Sequence, residues 1–325
     1  MKEEKASEPY ILHKLAQLLG TEVTNNRLEI PKKYGQGYCI GYVFNKYIRM
    51  LIMNYELDED LIVKDSDVNT PASTILFKFQ NIFAETTVQA KVKKLKGHPS
   101  LKGHPSVLVA TKSLSPDAVI AIHTNTSTIN IEVDASYLNG LFDSREKSPV
   151  LKSLLQNTQP LLFEQLMYSS VQKIVDEILS ESVDEAFKLF FLRVKTEELI
   201  CRLLMELEKR DEKRLYDLNS RDINTLYKVK EEIIKHLEIP PVINTLADYA
   251  GMSPTKLKRL FKQIFGKSIF SYYQGFRMKE AAILLKNEKL SVSDVGYRLG
   301  FTNLSHFSKV FKEHMGLNPK QYSRC

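Results

Sequence analysis

"LADYAGMSPTKLKRLF" (246–261) and "VGYRLGFTNLSHFSKVF" (295–311) are two versions of one pattern, and their reading decides the C-terminal fold. In the first, "INTLADYAG" predicts a short helix ended by Gly251. Ser253–Pro254 then opens another, because Ser caps a helix and Pro is preorganised for its first position. That second helix, 254–265, places Leu257, Leu260, Phe261 and Ile264 on one face. Thr255, Arg259 and Lys262 project from the opposite face, with Lys258 on its flank.

The second copy repeats the logic. Ser291 with Asp294 three residues later makes a capping-box-like start, and Gly300 ends the helix. The next helix, 303–315, is expected to bury Phe307, Val310, Phe311 and His314 while presenting Ser305, Lys309 and Lys312. His314 falls where the first copy has Ile264, so it reads as a core histidine. Ala247 and Gly296 match each other, and a small residue there lets the first helix approach the second. Helix, tight turn, helix, with a basic outer face, is what laying a helix in a DNA major groove requires. The two units span about 243–265 and 291–315.

Between them runs "SIFSYYQGFRMKEAAILLKN" (268–287), a helix of roughly 28 Å at ~1.5 Å per residue. Successive major grooves on one side of DNA lie ~34 Å apart. A rigid strut of this length suits two reading heads on consecutive turns of the duplex.

Charge supports the same partner. Residues 222–325 hold 17 Lys and Arg against 9 Asp and Glu, leaving 29 against 30 in the rest of a chain of net charge +7. All the positive excess therefore lies around the doubled pattern, which suggests a polyanion, although a well-solvated surface is the alternative on charge alone.

At these residues the chain resembles the AraC/XylS family of bacterial transcription regulators. The likeness covers about 222–324 and includes "GFTNLSHFSKVFKEHMGLNPKQYSR", matching the family signature at Gly-Phe, Phe-Lys, the later Gly and the Pro before the terminal Tyr-Ser-Arg. Family members usually have Tyr-Arg where this chain has Tyr-Ser. The resemblance implies base-reading positions at Thr255, Lys258 and Arg259 in the first head and at Ser305, His306 and Lys309 in the second. It also implies a phosphate contact at Arg277.

The front of the chain has a different texture. After a short helix at 7–19, segments such as "GYCIGYVF" (37–44), "IRMLIMNYEL" (48–57), "STILFKFQNIF" (73–83), "VLVAT" (107–111), "AVIAIHT" (118–124) and "STINIEV" (127–133) read as strands of a sandwich or barrel. The resemblance implies a cupin-like β-barrel that binds an effector or dimerises. The expected fold is thus α+β: a β-rich domain at 1–148, a helical connector and linker at 149–221, and an all-α DNA-binding domain at 222–325. Within the connector, 184–210 is a helix whose broad apolar face, stepping through Phe187, Phe191, Val194, Cys201 and Met205 and widened by Leu199, Leu203 and Leu204, needs a neighbouring helix or a second copy.

The tandem "KGHPSLKGHPSV" (96–107) reads as a surface loop, since Gly and Pro oppose regular structure and no carboxylate or Cys joins His98 and His104 as a metal ligand. Cys39, Cys201 and Cys325 lie far apart, which disfavours a zinc module or disulfide framework. Cys39 sits in a strand-like run without a basic neighbour, so a structural role is expected rather than a catalytic thiol. No secretory leader or membrane span is expected, and a cytoplasmic setting follows. The leading expectation is a sequence-specific regulator, read as an activator with the sign of its effect left open by the sequence, with double-stranded DNA and RNA polymerase as partners. A small-molecule effector or a homodimer is expected to act through the front domain. No cofactor or catalytic residue is expected. The alternatives are an architectural DNA binder and a DNA-modifying enzyme with the same head.

Overall fold

A computed structural model describes residues 9–58, 73–82, 105–111, 125–142, 147–180, 182–212, 215–286 and 288–324. The chain divides into two compact units, Met1–Ser220 and Arg221–Cys325.

In the first unit, runs rich in Ile, Val, Phe and Tyr form one antiparallel sheet of β1 (Arg27–Glu29), β2 (Gly35–Val43), β3 (Ile48–Leu57), β4 (Thr74–Gln80), β5 (Ser106–Thr111), β6 (Asn125–Asp134) and β7 (Leu162–Leu166). Their order is β1-β2-β3-β6-β4-β5-β7. Helices α1 (Tyr10–Leu19), α2 (Ala135–Leu141), α3 (Pro149–Gln156), α4 (Ser169–Ser180) and α5 (Glu185–Glu208) accompany it. Register aligns Tyr42, Met50, Ile131, Phe77, Val109 and Phe163 in a line across six strands. All six belong to a core shared with α2 to α5. Burial of each large side chain in such a core contributes ~1.5–3 kcal/mol. On the opposite face, Leu12, Leu15, Ala16 and Leu19 of α1 pack with Leu28, Cys39, Leu51, Met53 and Tyr55.

The expected barrel is corrected here. Among the described residues the sheet is open, with β1 and β7 as its edges. Helices cover apolar area on both faces, so the sheet need not close on itself to bury its side chains. Residues 149–221, read as a connector, supply β7, α3, α4 and α5 to this unit. The expected strand at 118–124 and residues 96–104 of the tandem repeat lie outside the described residues; the end of the repeat, Ser106 and Val107, is buried in β5 rather than lying in a surface loop, because it pairs with β4 and β7. Cys39 is buried, and burial with the nearby Glu29 charge pushes its thiol up to about 12. That setting suits packing and opposes thiolate chemistry.

Helix α5 also departs from expectation. It buries Leu192, Thr196, Leu199, Ile200, Leu203, Leu204 and Leu207, whereas Phe187, Val194, Cys201 and Met205 are exposed. Of the expected face, Leu199, Leu203 and Leu204 are packed and Phe191 is partly so, while the rest of its centre faces outward, because apolar residues occur on most sides of this helix. Phe187 and Phe190 remain 64% and 69% exposed.

The second unit is helical: α6 (Ser220–Lys235), α7 (Ile243–Ala250), α8 (Pro254–Phe265), α9 (Ile269–Lys286), α10 (Val292–Arg298), α11 (Leu304–Met315) and the short α12 (Pro319–Tyr322). Helix α6 begins at Ser220, inside the stretch expected to be connector and linker. Helix α9 is buried nearly all round, as a central helix must be. At its front Tyr272 packs edge-on to Phe261 and touches Phe265. At its rear Met278, Ala281, Leu284 and Leu285 join Val295, Phe307 and Phe311 in one core. The two helix pairs therefore share a single 18-residue strut, about 27 Å long.

Candidate nucleic-acid interface

The duplicated phrase folds as a duplicated turn. After α7, Gly251 takes a left-handed conformation and Met252 N–H donates to the Ala247 carbonyl at 3.0 Å. After α10, Gly300 does the same and Phe301 N–H donates to the Gly296 carbonyl at 2.9 Å. Both are the six-to-one closure of a Schellman stop, which satisfies a terminal carbonyl and turns the chain into the next helix.

Gly300 carries a second demand. A Cβ there would lie 2.1 Å from the Glu238 carbonyl oxygen, whereas one at Gly251 would meet nothing within 4 Å. Gly296, as its spacing suggested, lets α10 approach α11: a Cβ would lie 2.6 Å from Leu304 Cδ2.

Each reading helix has 12 residues and a side-chain cap. Ser253 Oγ accepts from the Lys256 N–H at 3.3 Å, with Pro254 at the first helical position. Asn303 Oδ1 accepts from the N–H groups of Ser305 and His306 at 2.9 and 3.0 Å. Leu257, Leu260, Phe261 and Ile264 are buried in α8, and Phe307, Val310 and Phe311 in α11, as the spacing required. Thr255, Lys258 and Arg259 are exposed on α8, with Lys262 half-buried beside them. Ser305, His306, Lys309 and Lys312 are exposed on α11. The two sets lie on outer helix faces, where side chains can reach a groove.

The heads differ electrically. Helix α8 carries Lys256, Lys258, Arg259 and Lys262 with no carboxylate, whereas α11 carries Lys309, Lys312 and Glu313. Helix α8 thus carries the larger formal positive charge, one lysine of it paired with Asp222.

Two expectations are corrected. Arg277 is 5% exposed rather than turned toward a phosphate. Its Nη2 donates to the Leu299 carbonyl, its Nη1 donates to Gln274 Oε1 at 3.1 Å, and the guanidinium lies 3.9 Å from the Phe301 ring centroid. Burial lowers its pKa from the usual value. The side chain fastens the strut to the turn of the second head. His314 is exposed rather than in the core, with its Nδ1 3.0 Å from the Val310 carbonyl.

Reasoning from sequence missed two features. Tyr322 of α12 packs edge-on to Phe311 at 5.4 Å, which gives the chain's end a place in the second head's core. Asp222 of α6, 8% exposed, bonds Lys256 in the first turn of α8, with Oδ1 to Nζ at 2.9 Å. No local pattern could reveal that pair, since its members stand 34 residues apart.

Comparison with known proteins agrees with this geometry. A family model described as a helix-turn-helix domain matches residues 246–324. The arabinose operon regulatory protein of Escherichia coli is 32% identical over 80 residues, 25% of this chain and 27% of that protein. The probable transcription factor PqrA of Proteus vulgaris is 31% identical over 80 residues, covering 25% of this chain and 66% of that one. A solved C-terminal domain of AraT, a response regulator from Geobacillus stearothermophilus, is 31% identical, with a TM-score of 0.29 over 31% of this chain and 84% of that one. The chain spans only 28% and 27% of the length of two arabinose regulators it matches. Two helix pairs, each with a capped reading helix and a duplicated stop, on a segment that aligns with these regulators, make the C-terminal unit of this chain a DNA-binding helix-turn-helix domain of the AraC family.

Proposed function

We propose that the whole chain is a sequence-specific transcription regulator, acting in the cytoplasm and laying α8 and α11 in two successive major grooves of promoter DNA. The observation that carries this reading is the pair of capped, outward-facing polar helices on one buried strut. Thr255, Lys258 and Arg259 read bases in one half-site, and Ser305, His306 and Lys309 read the other. Lys262 and Lys312 add positive charge near phosphates. Helices of unlike charge suit half-sites of unlike sequence. The first unit senses a small molecule or a partner, the chain activates through contact with RNA polymerase, and it carries no enzymatic activity of its own.

The test uses a site selected by the full-length chain from random-sequence duplexes, followed by a base-substitution scan. Arg259→Ala should cost about 1–3 kcal/mol on that site and relax one or two positions in one half-site, as loss of a bidentate guanine contact does. Lys309→Ala should act in the other half-site, roughly one helical turn away. Affinity should fall steeply with salt, because neutralised phosphates release counterions. A scan in which Arg259→Ala shifts both half-sites equally would defeat the two-head reading.

We also propose that the exposed stripe of α5 joins two copies of the chain. Phe190→Glu placed together with Phe187→Ser should convert a dimer to a monomer in sedimentation while leaving the circular dichroism of the folded chain unchanged. A wild-type chain that sediments as a monomer at high micromolar concentration would defeat this part.

A further inference from the structure

The Asp222–Lys256 pair has an unusual position. Lys256 stands in the first turn of α8, where the unpaired N–H groups of a helix start repel a cation. At 100° per residue it lies on the flank of α8 away from Lys258, beside the buried Gln263. Its ammonium is drawn to the Asp222 carboxylate, whose side chain is only 12% exposed against 41% for Lys256. A mostly buried carboxylate needs a compensating partner, and Lys256 supplies one. Asp222 itself lies in the first turn of α6, two residues past the end of the first unit.

We infer that Asp222 is a positioning residue for DNA recognition: it fixes the N-terminal turn of α8 at the angle from which Thr255, Lys258 and Arg259 face bases, and it holds Lys256 off the phosphates. The inference rests on α8 being a reading helix. Its physical content is that one carboxylate trades a non-specific contact for a fixed helix orientation. With Asp222 neutralised, the lysine stem is released to swing toward the nearest phosphate, which adds affinity for any sequence while the helix start loosens.

The experiment uses the full-length chain, a duplex that the wild type selects from a random library, and a random-sequence duplex of equal length. The variants are Asp222→Asn, Lys256→Met and the double change. For Asp222→Asn, preference for the selected duplex should fall about 5- to 10-fold, with the lost discrimination confined to the half-site that Arg259 reads. Its binding to random duplex should gain one phosphate contact, so affinity should drop about 3-fold more than wild type between 50 and 200 mM salt. Lys256→Met should lose the same preference with no change in salt slope, and the double variant should match it. If Lys256→Met instead makes the slope shallower by about one, Lys256 already contacts a phosphate and the inference is overturned. Equal loss in both half-sites would likewise overturn it, since a general weakening of the fold has that signature. Should Asp222→Asn fail to fold, Lys256→Met alone still decides, because it alters a partly exposed side chain. A wild type that selects no duplex at all removes the reading of α8 as a DNA-contacting helix, and the inference with it. A selected duplex with unaltered discrimination in Lys256→Met overturns the inference alone.

Discussion

Gly300→Ala will melt the C-terminal unit far below wild type, whereas the matching change Gly251→Ala will cost it little. Both glycines are left-handed, at φ +77° and +58°, so each alanine meets the ~1–2 kcal/mol penalty of that conformation. Only at Gly300 does the new methyl also strike backbone, with the Glu238 oxygen, carbon and Cα at 2.1, 2.9 and 3.0 Å. A carbonyl cannot rotate away as a side-chain end can, so the segment between α6 and α7 has to move. Overpacking of this kind typically adds ~1–3 kcal/mol. The expected totals are about 2–5 kcal/mol for Gly300→Ala and about 1–2 kcal/mol for Gly251→Ala. For a domain near a hundred residues, the first corresponds to a melting shift of roughly 10–25 °C. Thermal denaturation of residues 221–325 checks this, a fragment justified by its being a compact unit. Equal shifts for the two alanines would show that the contact with Glu238 is not a constraint.

Arg277→Ala will destabilise the second head and leave the salt dependence of DNA binding unchanged. The change strips the Leu299 carbonyl of a charged donor and removes a cation stacked on Phe301. A hydrogen bond from a charged group contributes about 1.5–3 kcal/mol and a desolvated cation–π contact about 2, so a loss of about 2–5 kcal/mol is expected once the relieved burial of charge is set against them. Because Leu299 and Phe301 form the turn before α11, discrimination should fall in the half-site read by Lys309 more than in the other. The salt slope decides between this role and a phosphate contact. A buried guanidinium releases no counterion, so the slope stays, while a slope shallower by about one would restore Arg277 to the DNA surface.

The same arginine shows where a sequence stops being informative. Arg277 lies on a helix whose other residues include Tyr273, Phe276 and Met278, and nothing in that spacing distinguishes a cation folded inward from one turned outward. Its burial depends on Phe301 and Leu299 arriving from beyond the next helix. His314 erred in the opposite direction. Its phase matched Ile264, yet in the last turn of α11 the residue is exposed and its Nδ1 turns back to the Val310 carbonyl instead of entering the core.

What the sequence by itself determined is the C-terminal unit: two helix pairs, the Ser253 and Ser291 caps, the glycine stops, the buried and outward faces of α8, the strut and the location of the positive charge. These are local properties. A cap, a left-handed glycine and a 3.6-residue periodicity act over one or two turns, and each agreed with its neighbours, so the duplicated phrase could be read residue by residue. Only the tertiary structure decided what depends on distant partners. The β-branched and aromatic runs of β2 to β6 announce strands but not whether the sheet closes, and β7 lies in a stretch that reads as helical. The answer was set by α1 packing on Cys39 and Leu51 on one face and by α2 to α5 covering the other. Periodicity in α5 announces a helix, but with apolar residues on most sides it cannot say which stripe meets the sheet. The Asp222–Lys256 bond and the contact of Gly300 with Glu238 join segments separated by whole helices. Their energies appear only once the chain has closed those loops, and no window of neighbouring residues contains them.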